Sequence, residues 1–215
     1  MRKKMFVAGL FLCAALPLAA QADNEHGWYG ALSLGVSSYG NSQDDEDDIR
    51  SQLNSQGQQA DVHVDDNPAA LGVGLGYHFS DNFALEADYL DLGEATAHVH
   101  VFSPSDFFLR ERLDASGVTL DAIGLAPLSE RVSLFGKLGL FSYNLDDSID
   151  SDVPTGPQPP DARGTTWDWG LGVQVKITRT VGIRAGYSNY HGVGDADTTG
   201  KQNIGLVYGQ VYLNF

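Results

Sequence analysis

The chain has very little cysteine and few basic residues. Its 215 residues include one cysteine, Cys13, and 13 Lys and Arg stand against 28 Asp and Glu, for a net charge of −15. Cys13 lies within residues 1–22, which are expected to be removed, so the mature chain is expected to have no disulfide, thiolate catalyst or cysteine-based metal site. The negative charge also excludes nucleic acid as a partner, because the two charges repel.

Residues 1–22 have the pattern of a cleaved signal peptide. Three basic residues at positions 2–4 precede a short apolar run over residues 6–18, and Ala20 and Ala22 provide the small residues of a cleavage site. The mature chain is therefore expected to start at Asp23, with 10 basic and 28 acidic residues and a net charge of −18. After Asp23 the sequence contains no run of 18 apolar residues, the length that a transmembrane helix needs.

Apolar and small residues alternate in eight segments of the mature chain. In residues 167–177 one face carries Trp167, Trp169, Leu171, Val173, Val175 and Ile177, and the other is mostly glycine and polar residues. A period of two predicts half-buried β-strands. The other segments are 28–38, 69–79, 83–101, 117–128, 132–144, 181–190 and 203–215, and each is long enough for the roughly 9–11 tilted residues that cross a bilayer.

The connections between these segments alternate in length. Residues 80–82, 129–131 and 178–180 form short turns, whereas 39–68, 106–116, 145–166 and 191–202 are predicted to be four long extracellular loops. Short turns on one side and long loops on the other are typical of outer-membrane barrels. The sequence therefore predicts an all-β fold over residues 23–215, an eight-stranded antiparallel up-and-down transmembrane β-barrel.

A soluble barrel, with its large apolar residues inside, is the alternative architecture. However, the small-residue face carries the isolated charges Glu86, Lys137 and Arg184, which suit a polar lumen. Aromatic residues also cluster near the strand ends, as they do in the interfacial girdles of membrane barrels. Both features favour the membrane barrel.

Several segments resemble the OmpA-like family of outer-membrane barrels. Residues 84–93 (ALEADYLDLG) resemble its third strand, 117–122 and 134–139 its fourth and fifth, and 187–195 its seventh strand and last loop. The resemblance implies location in the outer membrane, contact with its lipid and lipopolysaccharide, and recognition of the terminal aromatic Phe215 by the barrel-assembly machinery. The chain is expected to be a stand-alone barrel without the family's periplasmic peptidoglycan-binding domain.

The charges Glu86, Lys137 and Arg184 are predicted to meet in the lumen. Glu86 and Arg184 each stand fourth after a short turn, on strands that face each other across an eight-stranded barrel, so they lie at similar depth. The resemblance implies that such a cluster plugs or gates the bore. Ile123 and Gln174 stand where the family pattern has Lys and Glu, so the cluster is expected to be thinner. Structural charge pairing without a gate is the alternative.

Three further patterns have a structural explanation beside a functional one. The acidic run at residues 44–48 lacks the spacing of an EF-hand and is interpreted as a solvated loop. His98 and His100 share a strand face, but no third metal ligand is identifiable. Ser188 and His191 have the wrong order and spacing for the His-x-Ser pattern of lipid A deacylases. No metal, cofactor or catalytic residue is predicted.

Three functions remain open because fold does not determine function. The first is a non-enzymatic surface barrel that supports envelope integrity and presents acidic loops to an extracellular ligand, for example in adhesion. The second is a narrow porin of low conductance. The third is a lipid A-modifying enzyme. Planar-bilayer conductance separates the first two, and deacylation or acyl transfer on lipopolysaccharide identifies the third.

Overall fold

The computed structural model describes residues 26–40, 50–53, 55, 59–103, 107–151, 161–195 and 201–215. The predicted signal peptide at 1–22, the acidic run at 44–48 and residues 154–160 of the predicted extracellular loop 145–166 lie outside these residues, so their interpretation stays a prediction. Within the described ranges, no helix combines the length and the apolar character needed to cross a membrane.

The described residues form an almost entirely antiparallel β-structure. Its nine strands are β1 (Gly27–Ser38), β2 (Gln59–Asp65), β3 (Ala69–Ser80), β4 (Phe83–Ser103), β5 (Phe107–Pro127), β6 (Val132–Ser151), β7 (Ala162–Lys176), β8 (Val181–Val193) and β9 (Gln202–Asn214).

Eight of these strands close into a ring, which confirms the predicted barrel. The order is β1-β3-β4-β5-β6-β7-β8-β9, and β9 returns to pair with β1 from Tyr29 opposite Asn214 to Ser38 opposite Gly205. A closed sheet leaves no unpaired strand edge in the wall. The remaining strand, β2, pairs with the outer part of β4, so it continues the wall beyond the end of β3.

The predicted loops at 106–116 and 145–166 are wrong in part, because strands occupy much of them. β5 begins at Phe107, β6 continues to Ser151, and β2 lies within the predicted loop 39–68. Together, β2 and residues 94–103, 107–116 and 144–151 form a protruding sheet at the end of the barrel that we call the extended end; the opposite end is the short-turn end. Strands outside a membrane need no lipid-facing apolar row, which explains why alternation predicted β4 as far as residue 101 but missed β2 and residues 107–116 and 145–151.

A β-bulge separates the barrel part of β4 from its extension. The register with β5 shifts between Asp91 and Glu94, and Gly93 has a φ of +78°. A side chain at Gly93 would be strained there, and its Cβ would lie 2.5 Å from the carbonyl oxygen of Ala69. The extra residue changes the alternation, so that Leu92 and Ala95 are both buried.

The outer face of the barrel is apolar and exposed. Leu34 is 67% exposed, Leu138 61% and Val207 64%, which a soluble barrel would not leave in water. At the short-turn end, the ring of Tyr77 lies 5.2 Å from that of Trp28 and 4.8 Å from that of Phe79. This belt with its aromatic girdle excludes the soluble alternative.

Candidate functional site in the barrel lumen

Arg184 and Glu86 form an ion pair inside the barrel. Arg184 Nη1 donates to Glu86 Oε2 at 2.6 Å and to Gln210 Oε1 at 3.0 Å, and Nε donates to Gln174 Oε1 at 2.7 Å. Gln210 Nε2 also donates to Glu86 Oε1 at 3.1 Å. These four buried residues are the arginine cluster. Gln174, where the family pattern has Glu, provides a neutral acceptor, so a single carboxylate pairs with the guanidinium.

Aromatic rings enclose the arginine cluster at the short-turn end. The guanidinium carbon of Arg184 lies 5.2 Å from the ring centre of Tyr29 and 4.9 Å from that of Tyr212, within cation–π range. His78 lies 4.6 Å from Tyr29, ring centre to ring centre. Ile123, where the family pattern has Lys, packs in the same apolar group as Tyr29 and Tyr212. The position expected to hold a second cation is therefore part of a hydrophobic cluster.

Lys137 belongs to a second group of charges. Its Nζ donates to Asp121 Oδ2 at 2.7 Å and lies 3.9 Å from Asp168 Oδ1. These three residues form the lysine cluster, and both of its carboxylate residues are buried. The structure thus brings Glu86 and Arg184 into contact, whereas the ion pairs of Lys137 are made with Asp121 and Asp168.

The sequence reasoning missed Asp88, Asp121 and Asp168. Each lies on the small-residue face that singled out Glu86, so the same alternation contained the signal. Glycines provide a second signal, because Gly74 stands opposite Asp88, and Gly139 stands between Asp121 and Asp168 in the register. A Cβ at Gly74 would lie 1.9 Å from Asp88 Oδ1, and one at Gly139 would lie 2.0 Å from Asp121 Oδ1. The glycines leave room for the carboxylates.

Apolar side chains fill the lumen towards the extended end. We call this group the apolar plug. It includes Leu92, Phe141, Leu145, Tyr190 and Ile204, each 0% exposed. The ring centres of Phe141 and Tyr190 are 4.7 Å apart. The plug and the two charged clusters therefore occupy successive parts of the bore.

Neither of the other candidate sites is assembled. His98 stands opposite His63 on the protruding sheet, but no group of three or more His, Cys, Asp or Glu within the described ranges can hold a metal ion. Ser188 is buried in the wall, whereas His191 is exposed and its ring lies 4.8 Å from that of Trp167. The two residues form no nucleophile–base pair.

Carboxylates crowd the outer face of the protruding sheet, beyond the apolar belt. Asp114 stands between Glu94 and Asp146 in the register. Partial burial, followed by the charges of Asp91, Asp146 and Glu94, raises the pKa of Asp114. Because the pKa is raised in the folded state, the protonated carboxyl favours folding at low pH, and this contribution is lost as the pH rises through the folded value.

We expect the Asp114 carboxyl to titrate above the ordinary aspartate value of about 3.9 when it is followed by NMR. Asp91→Asn should lower the pKa of Asp114, because it removes one of the charges that raise it. Asp61→Asn, which lies on β2, is the control and should leave the pKa of Asp114 unchanged. An ordinary pKa in the unsubstituted protein would contradict this prediction.

The terminal Phe215 closes the hydrogen-bonded seam between the first and last strands. Its backbone N–H donates to the carbonyl oxygen of Trp28 at 3.0 Å, and its side chain is exposed. We expect deletion of Phe215 to impair insertion, because the seam loses this bond and the assembly machinery loses the terminal aromatic. The measurement is the heat-dependent gel shift of the outer-membrane fraction, with Phe215→Tyr as the matched control. A normal shift after deletion would refute the predicted role.

Comparison with known proteins places this architecture among bacterial outer-membrane barrels. The sequence matches the family described as outer membrane protein beta-barrel domain over residues 6–209. Its fold is similar to that of Neisserial surface protein A, NspA, with 15% identity, a TM-score of 0.47, and coverage of 88% of this chain and 97% of that chain.

Two further solved structures are similar to this chain. The N-terminal β-barrel domain of Pseudomonas aeruginosa OprF has 15% identity and a TM-score of 0.46, covering 88% of this chain and 99% of that chain. Ail, the attachment invasion locus protein of Yersinia pestis, has 16% identity and a TM-score of 0.42, with the same two coverages. No curated protein matches the chain by sequence.

Proposed function

Since this chain belongs to the outer membrane protein β-barrel family, we propose that it is a non-enzymatic surface barrel of the outer membrane. It supports envelope integrity and presents its extended end to an extracellular ligand. The apolar belt contacts membrane lipid and lipopolysaccharide, and the barrel-assembly machinery inserts the chain. The observation that carries the proposal is the filled lumen.

Ion flow through this lumen would require several buried groups to move. Arg184 is 3% exposed and donates hydrogen bonds to the side chains of Glu86, Gln174, Gln210 and Tyr29. Further along, the apolar plug is mostly hydrocarbon and cannot replace the hydration shell of an ion, and desolvating a charge is expensive. An eight-stranded barrel is narrow enough for its own side chains to fill it. These features support a closed barrel over the porin alternative.

The protruding sheet supports a surface role. It extends the wall by four strand segments beyond the apolar belt, with an outer face rich in charged and aromatic side chains, including His98, Phe108 and Arg110. Rigid strands position such groups better than flexible loops do. The lipid-modifying alternative has less support, because Ser188 and His191 are not paired.

Planar-bilayer recording of the mature chain tests the proposal. We expect no steady current from the unsubstituted protein. The double substitution Phe141→Ala and Tyr190→Ala removes two rings of the apolar plug and should produce a steady current. Leu138→Ala, on the lipid-facing surface, is the control and should produce no current. A steady current from the unsubstituted protein that the plug variant leaves unchanged would favour the porin. Deacylation or acyl transfer on purified lipopolysaccharide would favour the enzyme.

The proposed orientation places the extended end outside the cell and the short turns in the periplasm. A glutamate-specific protease added to intact cells is expected to cut after Glu46, in the acidic run, and to spare Glu130, in a short turn. Glu130 should become accessible once the outer membrane is permeabilised. Cleavage at Glu130 in intact cells, with Glu46 protected, would reverse the orientation.

A further inference from the structure

The buried lumen contains more carboxylates than cations. Four acidic residues, Glu86, Asp88, Asp121 and Asp168, are at most 5% exposed, and the cations among them are Lys137 and Arg184. If every group were ionised, this part of the lumen would carry a net charge of −2. Uncompensated charge in a dry interior is very unfavourable. The buried charges balance only if two positive charges bind in the lumen in addition to those of Lys137 and Arg184.

The unpaired oxygen atoms lie in the same place as the excess charge. Asp88 Oδ1, Asp121 Oδ1, both carboxylate oxygens of Asp168 and the hydroxyl oxygen of Thr119 are buried, and none of these five atoms has a hydrogen-bond partner in the part of the chain that the structure describes. Thr119 stands directly opposite Asp88 in the register and two residues before Asp121. A carboxylate only accepts hydrogen bonds, so its unpaired oxygens need donors, and the hydroxyl of Thr119 can supply only one.

The carboxyl groups approach one another in two pairs. Asp88 follows Glu86 by two residues on the buried face of β4, and Asp121 and Asp168 both stand opposite Gly139 on the strands that flank it. Two ionised carboxylates in contact repel each other, whereas one proton shared between them removes a charge and supplies a donor. A directly coordinated metal ion fits less well, since no group in the described part of the chain has the convergence that such an ion needs.

We propose that the lumen is a binding site for two protons, one shared by Glu86 and Asp88 and the other by Asp121 and Asp168. With both in place, the four carboxyl groups carry two negative charges, which Arg184 and Lys137 balance. In each pair, one member accepts a hydrogen bond from a cation: Glu86 from Arg184 and Asp121 from Lys137. The shared proton is therefore bonded to the other member, Asp88 or Asp168. In the described part of the lumen wall, the other titratable side chains are Tyr29, His78, Tyr190, Tyr208 and Tyr212, with Lys176 at the short-turn mouth and Tyr39 and Tyr143 in the apolar plug.

Difference infrared spectroscopy of the mature chain in detergent or lipid tests the site. At pH 7 the C=O stretch of protonated carboxyl groups is expected in the unsubstituted protein. Asp168→Asn and Asp88→Asn should each remove about half of the intensity of this band, because each substitution removes one of the two protonated carboxyl groups. Asn retains the size and the donor of a protonated Asp. Asp146→Asn, on the exposed protruding sheet, is the control and should leave the band unchanged.

Thermal unfolding provides a second readout. Groups that hold protons in the fold stabilise it less as the pH rises, so the unfolding temperature of the unsubstituted protein should fall on the alkaline side. The double Asp88→Asn and Asp168→Asn variant should lose this fall. Absence of the band at pH 7 in the unsubstituted protein overturns the proposal even if the variants fail to fold. Stabilisation by Mg²⁺ or Ca²⁺ that Asp168→Asn abolishes would overturn it in favour of a cation.

Discussion

Glu86→Ala is expected to destabilise the barrel by about 3–5 kcal/mol, because it leaves the buried guanidinium of Arg184 without its charged partner. The loss also removes the acceptor of Gln210 Nε2. Intact, the pair adds little net stability, since desolvation offsets most of its attraction. The large effect arises because removal of one partner leaves the other charge buried and unpaired. Reversible unfolding in detergent or lipid measures the change in the free energy of unfolding.

A double-mutant cycle isolates the interaction between the two side chains. Glu86→Ala, Arg184→Ala and the combined variant are compared, and the combined loss should be smaller than the sum of the single losses. Glu94→Ala is the matched control, because it removes a glutamate from an exposed site on the same strand. A coupling energy of zero between Glu86 and Arg184 would contradict the contact on which the arginine cluster rests.

Gly172→Ala is expected to have the second large effect. A Cβ there would lie 2.2 Å from the carbonyl oxygen of Ala185, 2.7 Å from Gly186 Cα and 2.8 Å from the ring of Phe135. Two of these atoms belong to the neighbouring strand's backbone, which cannot move without shifting the hydrogen-bonded wall. Overpacking of this kind costs about 1–3 kcal/mol or more, and a fixed backbone places Gly172→Ala at or above the upper value.

Gly209→Ala provides the control for the same chemical change. No heavy atom lies within 4 Å of a Cβ at Gly209, so its free energy of unfolding should change by less than about 0.5 kcal/mol. The fraction of each variant that shows a heat-dependent gel shift reports folding, and denaturant unfolding gives the difference in stability. Equal stabilities for the two variants would mean that the wall adjusts to an added methyl group without penalty.

The barrel was predictable because lipid imposes one strict rule on every strand. A wall residue faces either lipid or lumen, so alternation in segments such as 167–177 identified both the strands and the face of Glu86. Because Glu86 and Arg184 each stand fourth after a short turn, they were also predicted to lie at the same level, where the structure shows the 2.6 Å contact. Parity gave Asp88, Asp121 and Asp168 the same face, but the pairing of Lys137 with Asp121 depends on cross-strand register. Residue spacing along one strand does not specify that register.

Apart from its β4 segment, the protruding sheet was not predictable, for a different physical reason. Arg110, Glu111 and Arg112 follow one another on β5, and such a run is typical of a loop when it is considered alone. These residues form strand because β4 and β6 flank them and satisfy their backbone hydrogen bonds. The bulge at Gly93 was not predictable either, because a single glycine in a strand does not indicate that the alternation of faces changes there.

The bulge makes the alternation of inward-facing and outward-facing side chains independent in the two parts of β4. Below Gly93, even-numbered positions such as Glu86 and Asp88 face inward, whereas above it Ala95 and Val101 are buried and His98 is exposed. Loss of one residue at this point would exchange the two faces of the upper segment and leave the wall in the membrane untouched. The displayed surface can therefore diversify by insertion or deletion at one joint, while the sequence that lipid constrains stays fixed.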